Sequence, residues 1–237
     1  MRIAVVGHGR MGREVEAALL ERGHSPVVAR RGDAFPRDSP VGIDFTRGDA
    51  VPGNVAAALR SGARYVVGTT GWSGQERDVQ KAVEEAGGGL VYAANFSLGV
   101  NLFYRVVRQA AGLLAPFADY DPYVLERHHR GKQDAPSGTA KVLGAILETA
   151  YGRKPVSSAE GGLGPGAFHL AALRAGGIVG DHTVGFDSGG DEILLEHRAR
   201  TRRGFALGAV LAAEWIATRS GFHSFEEALD DLLQPKP

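Results

Sequence analysis

The chain has 237 residues, enough for one large domain or two small ones. Its 27 lysines and arginines balance 27 aspartates and glutamates, which argues against a nucleic-acid binder, and 43% hydrophobic with 23% charged residues is ordinary globular composition. It has no cysteine, so disulfides, thiolate catalysis and cysteine-held metals are excluded. The opening apolar run is too short for a signal peptide, and Phe205 to Ala213 is too short to span a bilayer. The expectation is a cytoplasmic protein that binds neither nucleic acid nor membrane.

Ile3 to Val6 reads as a short, continuously apolar, buried strand. Gly7-His8-Gly9-Arg10-Met11-Gly12 follows at once. A helix is then expected from about Arg10 to Glu21, with Met11, Val15, Ala18 and Leu19 on one face and Gly23 ending it. Glycines in this spacing allow a tight turn, backbone approach to a pyrophosphate, and close helix–strand packing. The pattern alone is weak; between a strand and a helix it points to dinucleotide binding. The next strand, Pro26 to Ala29, ends in Arg30-Arg31. An NAD-binding fold places an acidic residue near there for the ribose 2′-hydroxyl, whereas arginine suits a 2′-phosphate. We therefore expect NADPH ahead of NADH, with Arg30 as a contact. The alternative leaves both arginines exposed and assigns Asp33 to the ribose.

Val41 to Thr46 is a third expected strand, Ala50 to Ser61 a helix, and Tyr65 to Val67 a fourth strand. Gly68-Thr69-Thr70-Gly71 leaves its carboxyl end, where small residues let a flat ring lie against backbone. Ser73 and Glu76 have the spacing of a capping box for a helix reaching about Ala86. Leu90 to Ala93 is a fifth strand, leading into Ala94-Asn95-Phe96-Ser97. Strands alternating with helices predict an α/β domain with a Rossmann-type, doubly wound parallel sheet.

The pattern then changes. A longer helix spans Leu98 to Leu114, and β-rich runs follow at 123–129, 168–174, 182–186 and 193–200, with a glycine-rich loop at 161–166. These predict a second α+β domain on an open mixed or antiparallel sheet. Phe205 to Thr218 is again helical, and Ser224 with Glu227 forms another capping-box spacing before a short last helix. Periodicity does not say where these two helices dock. Trp72 and Trp215 are expected to fill core or interface.

The densest chemistry lies in Glu126 to Ala140. Two adjacent histidines, His128 and His129, precede Lys132. A turn at Asp134-Ala135-Pro136 then leads to Ser137-Gly138-Thr139, with Ser137 a candidate N-cap for the helix beyond. Cations and proton carriers thus stand just upstream of a helix N-terminus, which attracts anions. The functional reading is a pocket for an acidic small molecule with a proton donor; the plain one is a basic loop and a capped helix. No metal is expected, because adjacent strand residues face opposite ways and the flanking cations would repel one. His8, His169, His182 and His197 read as packing or surface residues.

Five stretches together resemble the 4-hydroxy-tetrahydrodipicolinate reductase (dihydrodipicolinate reductase) family of lysine and diaminopimelate biosynthesis. They are Gly7 to Gly12, Gly68 to Gly71, Asn95 to Asn101, Glu126 to Ala140, and Arg174 to Thr183. The first is shared by many oxidoreductases; the fourth is highly specific. The resemblance implies a homotetramer. It also implies a dinucleotide-binding domain of residues 1–96 and about 205–237, and a substrate-binding and tetramerisation domain of about 97–204. His128 matches the family's proton donor and acceptor, Lys132 a second donor, and His129 a substrate contact. Gly138 and Thr139, with Ser137 beside them, match the substrate-carboxylate site. Gly7, His8, Gly9, Arg10, Met11, Gly12, Arg30, Gly68, Thr69, Thr70, Ala93, Ala94, Asn95 and Phe96 match cofactor contacts. Ala29 departs from the acidic residue many relatives carry, which puts strong NADH selectivity in doubt.

The implied reaction takes a cyclic imine dicarboxylate that loses its 4-hydroxyl as water, receives hydride at C4, and needs an acid within hydrogen-bond reach. Arg127, Arg130 and Lys132 are expected to favour a neutral His128. Two other readings are another NAD(P)-dependent amino- or hydroxy-acid reductase and a non-catalytic dinucleotide-sensing regulator. Neither gives the Glu126 to Ala140 arrangement a use.

Overall fold

The computed structural model describes residues 1–30, 32–157 and 162–234; Arg31 and Gly161, named above, lie outside them. The chain divides into two compact units, Met1–Leu98 with Arg202–Pro237, and Gly99–Thr201.

The first unit opens with β1 (Arg2–Val6), α1 (Arg10–Glu21), β2 (Ser25–Ala29), β3 (Val41–Asp44), α2 (Val51–Arg60), β4 (Arg64–Val67), α3 (Glu76–Glu85) and β5 (Gly89–Tyr92). The second unit holds α4 (Leu98–Leu114), β6 (Asp121–His128), α5 (Gly138–Tyr151), β7 (Lys154–Val156), β8 (Ala167–Arg174), β9 (Asp181–Asp187) and β10 (Glu192–Arg198). The chain then returns to the first unit with α6 (Arg203–Ile216), β11 (Gly221–Ser224) and α7 (Phe225–Leu233).

The first sheet has the order β11-β5-β4-β3-β1-β2 and is parallel throughout. Its strands are covered on both faces, so they read as unbroken apolar runs. Alternation sorts the side chains. Ile3, Val5, Ile43, Val66 and Val91 pack toward Val15 and Leu19 of α1 and the small residues of α6. Tyr65, Val67 and Leu90 pack toward Val55, Ala58, Val79 and Val83 of α2 and α3. Each fully buried aliphatic side chain contributes roughly 1.5–3 kcal/mol. Helix α6 lies tight on the segment leaving β5: a Cβ at Gly208 would stand 1.7 Å from the Phe96 carbonyl oxygen. Pro26 is tolerated in β2 because β2 is an edge strand.

Several local expectations change. β3 ends at Asp44, two residues early, because the Asp44 carboxylate accepts bonds from both the amide and the hydroxyl of Thr46 and turns the chain. The capping box at Ser73 does not form. Ser73–Gln75 is a 3-10 turn, and the N-cap falls on Gln75 without a side-chain bond. The box at Ser224 and Glu227 forms in both directions. Strands β7 and β11 were not foreseen, since both are short and neither alternates clearly. Both tryptophans fill core, and Trp215 Nε1 also donates to Asp231 at 2.7 Å.

The second sheet has the order β10-β9-β6-β8-β7 and is mixed. β6 runs parallel to β8 and antiparallel to β9, which makes β6 its central strand. One face packs on α4 and α5 through Phe103, Val107, Leu143, Leu147, Phe168, Leu170, Val184 and Phe186.

Candidate active site

Strand alternation builds the centre of the second unit. Along β6, Pro122, Val124, Glu126 and His128 are buried, while Tyr123, Leu125 and Arg127 face the other way. Apolar side chains thus give way to a carboxylate and an imidazole at the strand's carboxyl end. Register supplies the neighbours: His182 of β9 pairs with Glu126, and Arg174 of β8 pairs with His128.

Glu126 is fully buried. Both of its oxygens accept from the Ser137 amide at 3.1 Å, and Oε1 accepts from Arg174 Nη2 at 2.7 Å. Oε2 stands 3.6 Å from His128 Nδ1 and 3.6 Å from His182 Nε2. Burial alone would push this carboxyl up; the nearby His182 imidazole and the bonds from Ser137 and Arg174 outweigh it and hold it well below the ordinary carboxylate range. The same Arg174 nitrogen donates to the Asp134 carbonyl at 2.7 Å, so one guanidinium joins β6 to the loop before α5.

His128 is pushed down to about 4. Burial is the main cause; Glu126 opposes it, and His182, Lys132 and Arg174 add to it. The expected neutral imidazole stands, but Arg127 and Arg130 are not its cause. Arg127 points to the opposite face and pairs with Asp181 and Glu196. The His182 ring meets His128 edge-on, with centroids 5.1 Å apart.

Ser137 caps α5 by accepting from the Ala140 amide at 3.2 Å, and its hydroxyl is 3.2 Å from His182 Nε2. Gly138 and Thr139 therefore occupy the first helical positions, where amide N–H groups lack intrahelical partners. Tyr104 of α4 stands beside Thr139, and burial pushes its phenol up. Lys132 Nζ is held by Asp134 at 2.7 and 3.0 Å, and the Asp134 carboxyl is lowered chiefly by that bond. His129 lies past the strand end, half-buried. The structure thus brings His128, Lys132, Ser137, Gly138 and Thr139 to one end of the sheet. Glu126, Arg174, His182 and Tyr104 complete the group and were missed. The two-residue spacing of Glu126 and His128 on a strand was a readable signal for the first.

Among the described residues, Glu126, His128 and His182 are also the group with metal-ligand spacing, their ligating atoms lying within 4.8 Å. Arg174 already occupies one oxygen of that carboxylate at 2.7 Å. A cation there would meet a guanidinium, so the expectation of no metal stands as our reading.

The cofactor residues named from the sequence lie on the first unit, in the turns after β1, β2, β4 and β5 and at the start of α1. These are carboxyl ends of parallel strands, the edge at which such sheets bind ligands. Gly7 has φ +85°, and a Cβ on Gly12 would stand 2.0 Å from the Gly7 carbonyl oxygen, so both positions need glycine. A cavity of about 200 Å³ opens here, lined by Gly7, Ala29, Arg30, Thr46, Asn54 and Tyr65 among others. The Arg30 amide donates to Asp33 Oδ2 at 2.7 Å, and its side chain has no partner among the described residues. Met11 is partly buried against the core, and Phe96 is core beside Phe225, so only the Phe96 backbone is available to a ligand. The Thr69 hydroxyl is committed to Asp44 at 2.9 Å. Asp44 was missed: fully buried, it accepts from Thr46, Asn54, Tyr65 and Thr69 and braces three residues of the cavity wall.

Fold and glycine-rich edge define the class: a Rossmann-type fold for a nicotinamide dinucleotide, joined to a second unit on a mixed sheet. The comparisons narrow it. Residues 24–96 match the dihydrodipicolinate reductase N-terminus and residues 99–229 its C-terminus. A 4-hydroxy-tetrahydrodipicolinate reductase of Christiangramia forsetii is 35% identical over 240 residues, covering 99% of this chain and 100% of its own. One of Laribacter hongkongensis is 37% identical, covering 97% and 98%. The solved structure of a dipicolinate-bound dihydrodipicolinate reductase from Paenisporosarcina sp. TG-14 shares the fold, with a TM-score of 0.76 and 21% identity over 96% of this chain and 98% of that one. The chain belongs to the dihydrodipicolinate reductase family.

Proposed function

We propose that this protein reduces 4-hydroxy-tetrahydrodipicolinate, by way of dihydrodipicolinate, to tetrahydrodipicolinate in lysine and diaminopimelate biosynthesis. The observation that carries the reading is His128, buried at the carboxyl end of β6 beside Glu126, with Lys132 and Arg174 near it. The Paenisporosarcina relative is described as dipicolinate-bound, which supports a dicarboxylate ligand.

The first unit would hold the dinucleotide, its pyrophosphate against the Gly7 to Gly12 turn. The open backbone at Gly9, where a Cβ would meet nothing within 4 Å, leaves room for that approach. When bound, NADPH or NADH supplies a hydride. The residues of this chain do the rest. The amides of Gly138 and Thr139 bind a substrate carboxylate. Lys132 exchanges Asp134 for the substrate's negative charge. His128, neutral when free, takes up a proton as the dianion enters and gives it to the electron-rich ring that hydride addition leaves. Arg30 selects NADPH over NADH through the 2′-phosphate. The assembly is a homotetramer, with Gly99–Thr201 as the substrate-binding and tetramer-forming unit.

The test uses substrate generated in situ from pyruvate and aspartate semialdehyde and follows oxidation of NADPH and NADH. Wild type should turn over, with NADPH favoured. His128→Ala and Lys132→Ala should each lose about 100-fold or more in kcat. Arg30→Ala should erase the preference for NADPH. Tight dinucleotide binding without turnover would instead favour a sensor.

A further inference from the structure

The reading of His128 as proton donor leaves a question that its surroundings answer: what holds an unpartnered, buried imidazole in a productive pose? His128 Nδ1 is enclosed and makes no hydrogen bond. Glu126 Oε2 stands 3.6 Å from this enclosed nitrogen, and His182 packs edge-on against the ring. At the other nitrogen stands Gly180, where a Cβ would lie 3.0 Å from Nε2. Glycine keeps that edge clear of side chain.

The same carboxylate reaches both flanking segments. It takes the Ser137 amide, which fixes the start of α5, and it takes Arg174, which clamps the Asp134 carbonyl next to the loop carrying Lys132. Three parts of the site therefore hang on one anion: the imidazole, the lysine loop and the helix N-terminus. His182 is the second pivot, since its Nε2 lies 3.2 Å from Ser137 Oγ and 3.6 Å from Glu126.

We propose that Glu126 and His182 are positioning residues for the proton transfer: they hold the Nδ1 side of His128 closed, so that its proton enters and leaves through Nε2 beside Gly180. The inference rests on His128 being the donor. Its signs follow from charge. Four groups face His128: Glu126 from β6, Lys132 from the loop, Arg174 from β8 and His182 from β9. Glu126 alone favours the imidazolium, and the other three oppose it.

The experiment reads His128 in the full chain by nitrogen-detected imidazole NMR, assigning its signal by loss in His128→Asn, alongside kcat against pH. Glu126→Gln should lower the pH at which His128 titrates by about one unit, and His182→Gln should raise it, each tenfold in proton affinity being one unit. Glu126→Gln should also lower kcat about 10- to 100-fold with dinucleotide affinity unchanged, while Glu126→Asp, which keeps the charge, recovers most of it. A merely structural pair would not move the titration in opposite directions. An unmoved His128 titration in both variants would overturn the proposal, as would Glu126→Asp being as impaired as Glu126→Gln. Were His128→Asn to keep wild-type turnover, the donor reading would fail, and the proposal with it. A deep loss in His128→Asn together with an unmoved titration in Glu126→Gln would sink the positioning role alone.

Discussion

Among the described residues each unit buries one carboxylate completely, and the two are used differently. Asp44 accepts five bonds from Thr46, Asn54, Tyr65 and Thr69, every one a neutral donor. Glu126 accepts from one amide and one guanidinium and faces two imidazoles. A carboxylate satisfied by neutral groups cross-links a wall. A carboxylate beside an imidazole biases the protonation of that neighbour. Burial alone does not distinguish support from chemistry; the donors do.

The largest effect should come from removing Asp44. Asp44→Ala leaves several buried donors unsatisfied and should cost about 3–5 kcal/mol of stability, read by denaturant unfolding, and should weaken dinucleotide binding because the cavity wall is unbraced. A variant that folds with wild-type stability would break the contrast. The second effect is pH. Because the folded-state value for His128 lies below its unfolded value, the unfolded chain binds more protons between about pH 4 and 6.5. Stability should therefore fall as pH drops through that window, by up to about 1.4 kcal/mol per unit from this group. His128→Asn should flatten that part of the profile. The smallest effect separates the two capping-box spacings. Ser224→Ala should cost about 1 kcal/mol, and Ser73→Ala close to nothing, since its box is not formed.

Much of this was legible in the sequence. The helix at Leu98–Leu114 falls where its periodicity puts it, and the central parallel strands show as apolar runs because both faces are covered. Short elements such as Lys154–Val156 and Gly221–Ser224 carry too few residues to show a period. Ser73 and Ser224 look alike in sequence; a 3-10 turn over Ser73–Gln75 moves the N-cap to Gln75 and decides between them, and the spacing alone does not show it. At the site, His128, Lys132 and Ser137 share one stretch and were readable together. Arg174 and His182 come from strands far along the chain, so only the register of β8 and β9 against β6 brings them to Glu126. Asp44 was hidden because a lone aspartate at a strand end does not reveal that four other residues converge on it.

The most direct test of the account follows the hydride. A dinucleotide deuterated on the transferring face of its nicotinamide would be supplied with the in situ substrate, and the product examined by NMR. The account predicts deuterium on ring carbon C4 of tetrahydrodipicolinate, with His128→Asn slowing the transfer and leaving its position unchanged. Product without label, or dinucleotide that binds and is never consumed, would contradict it.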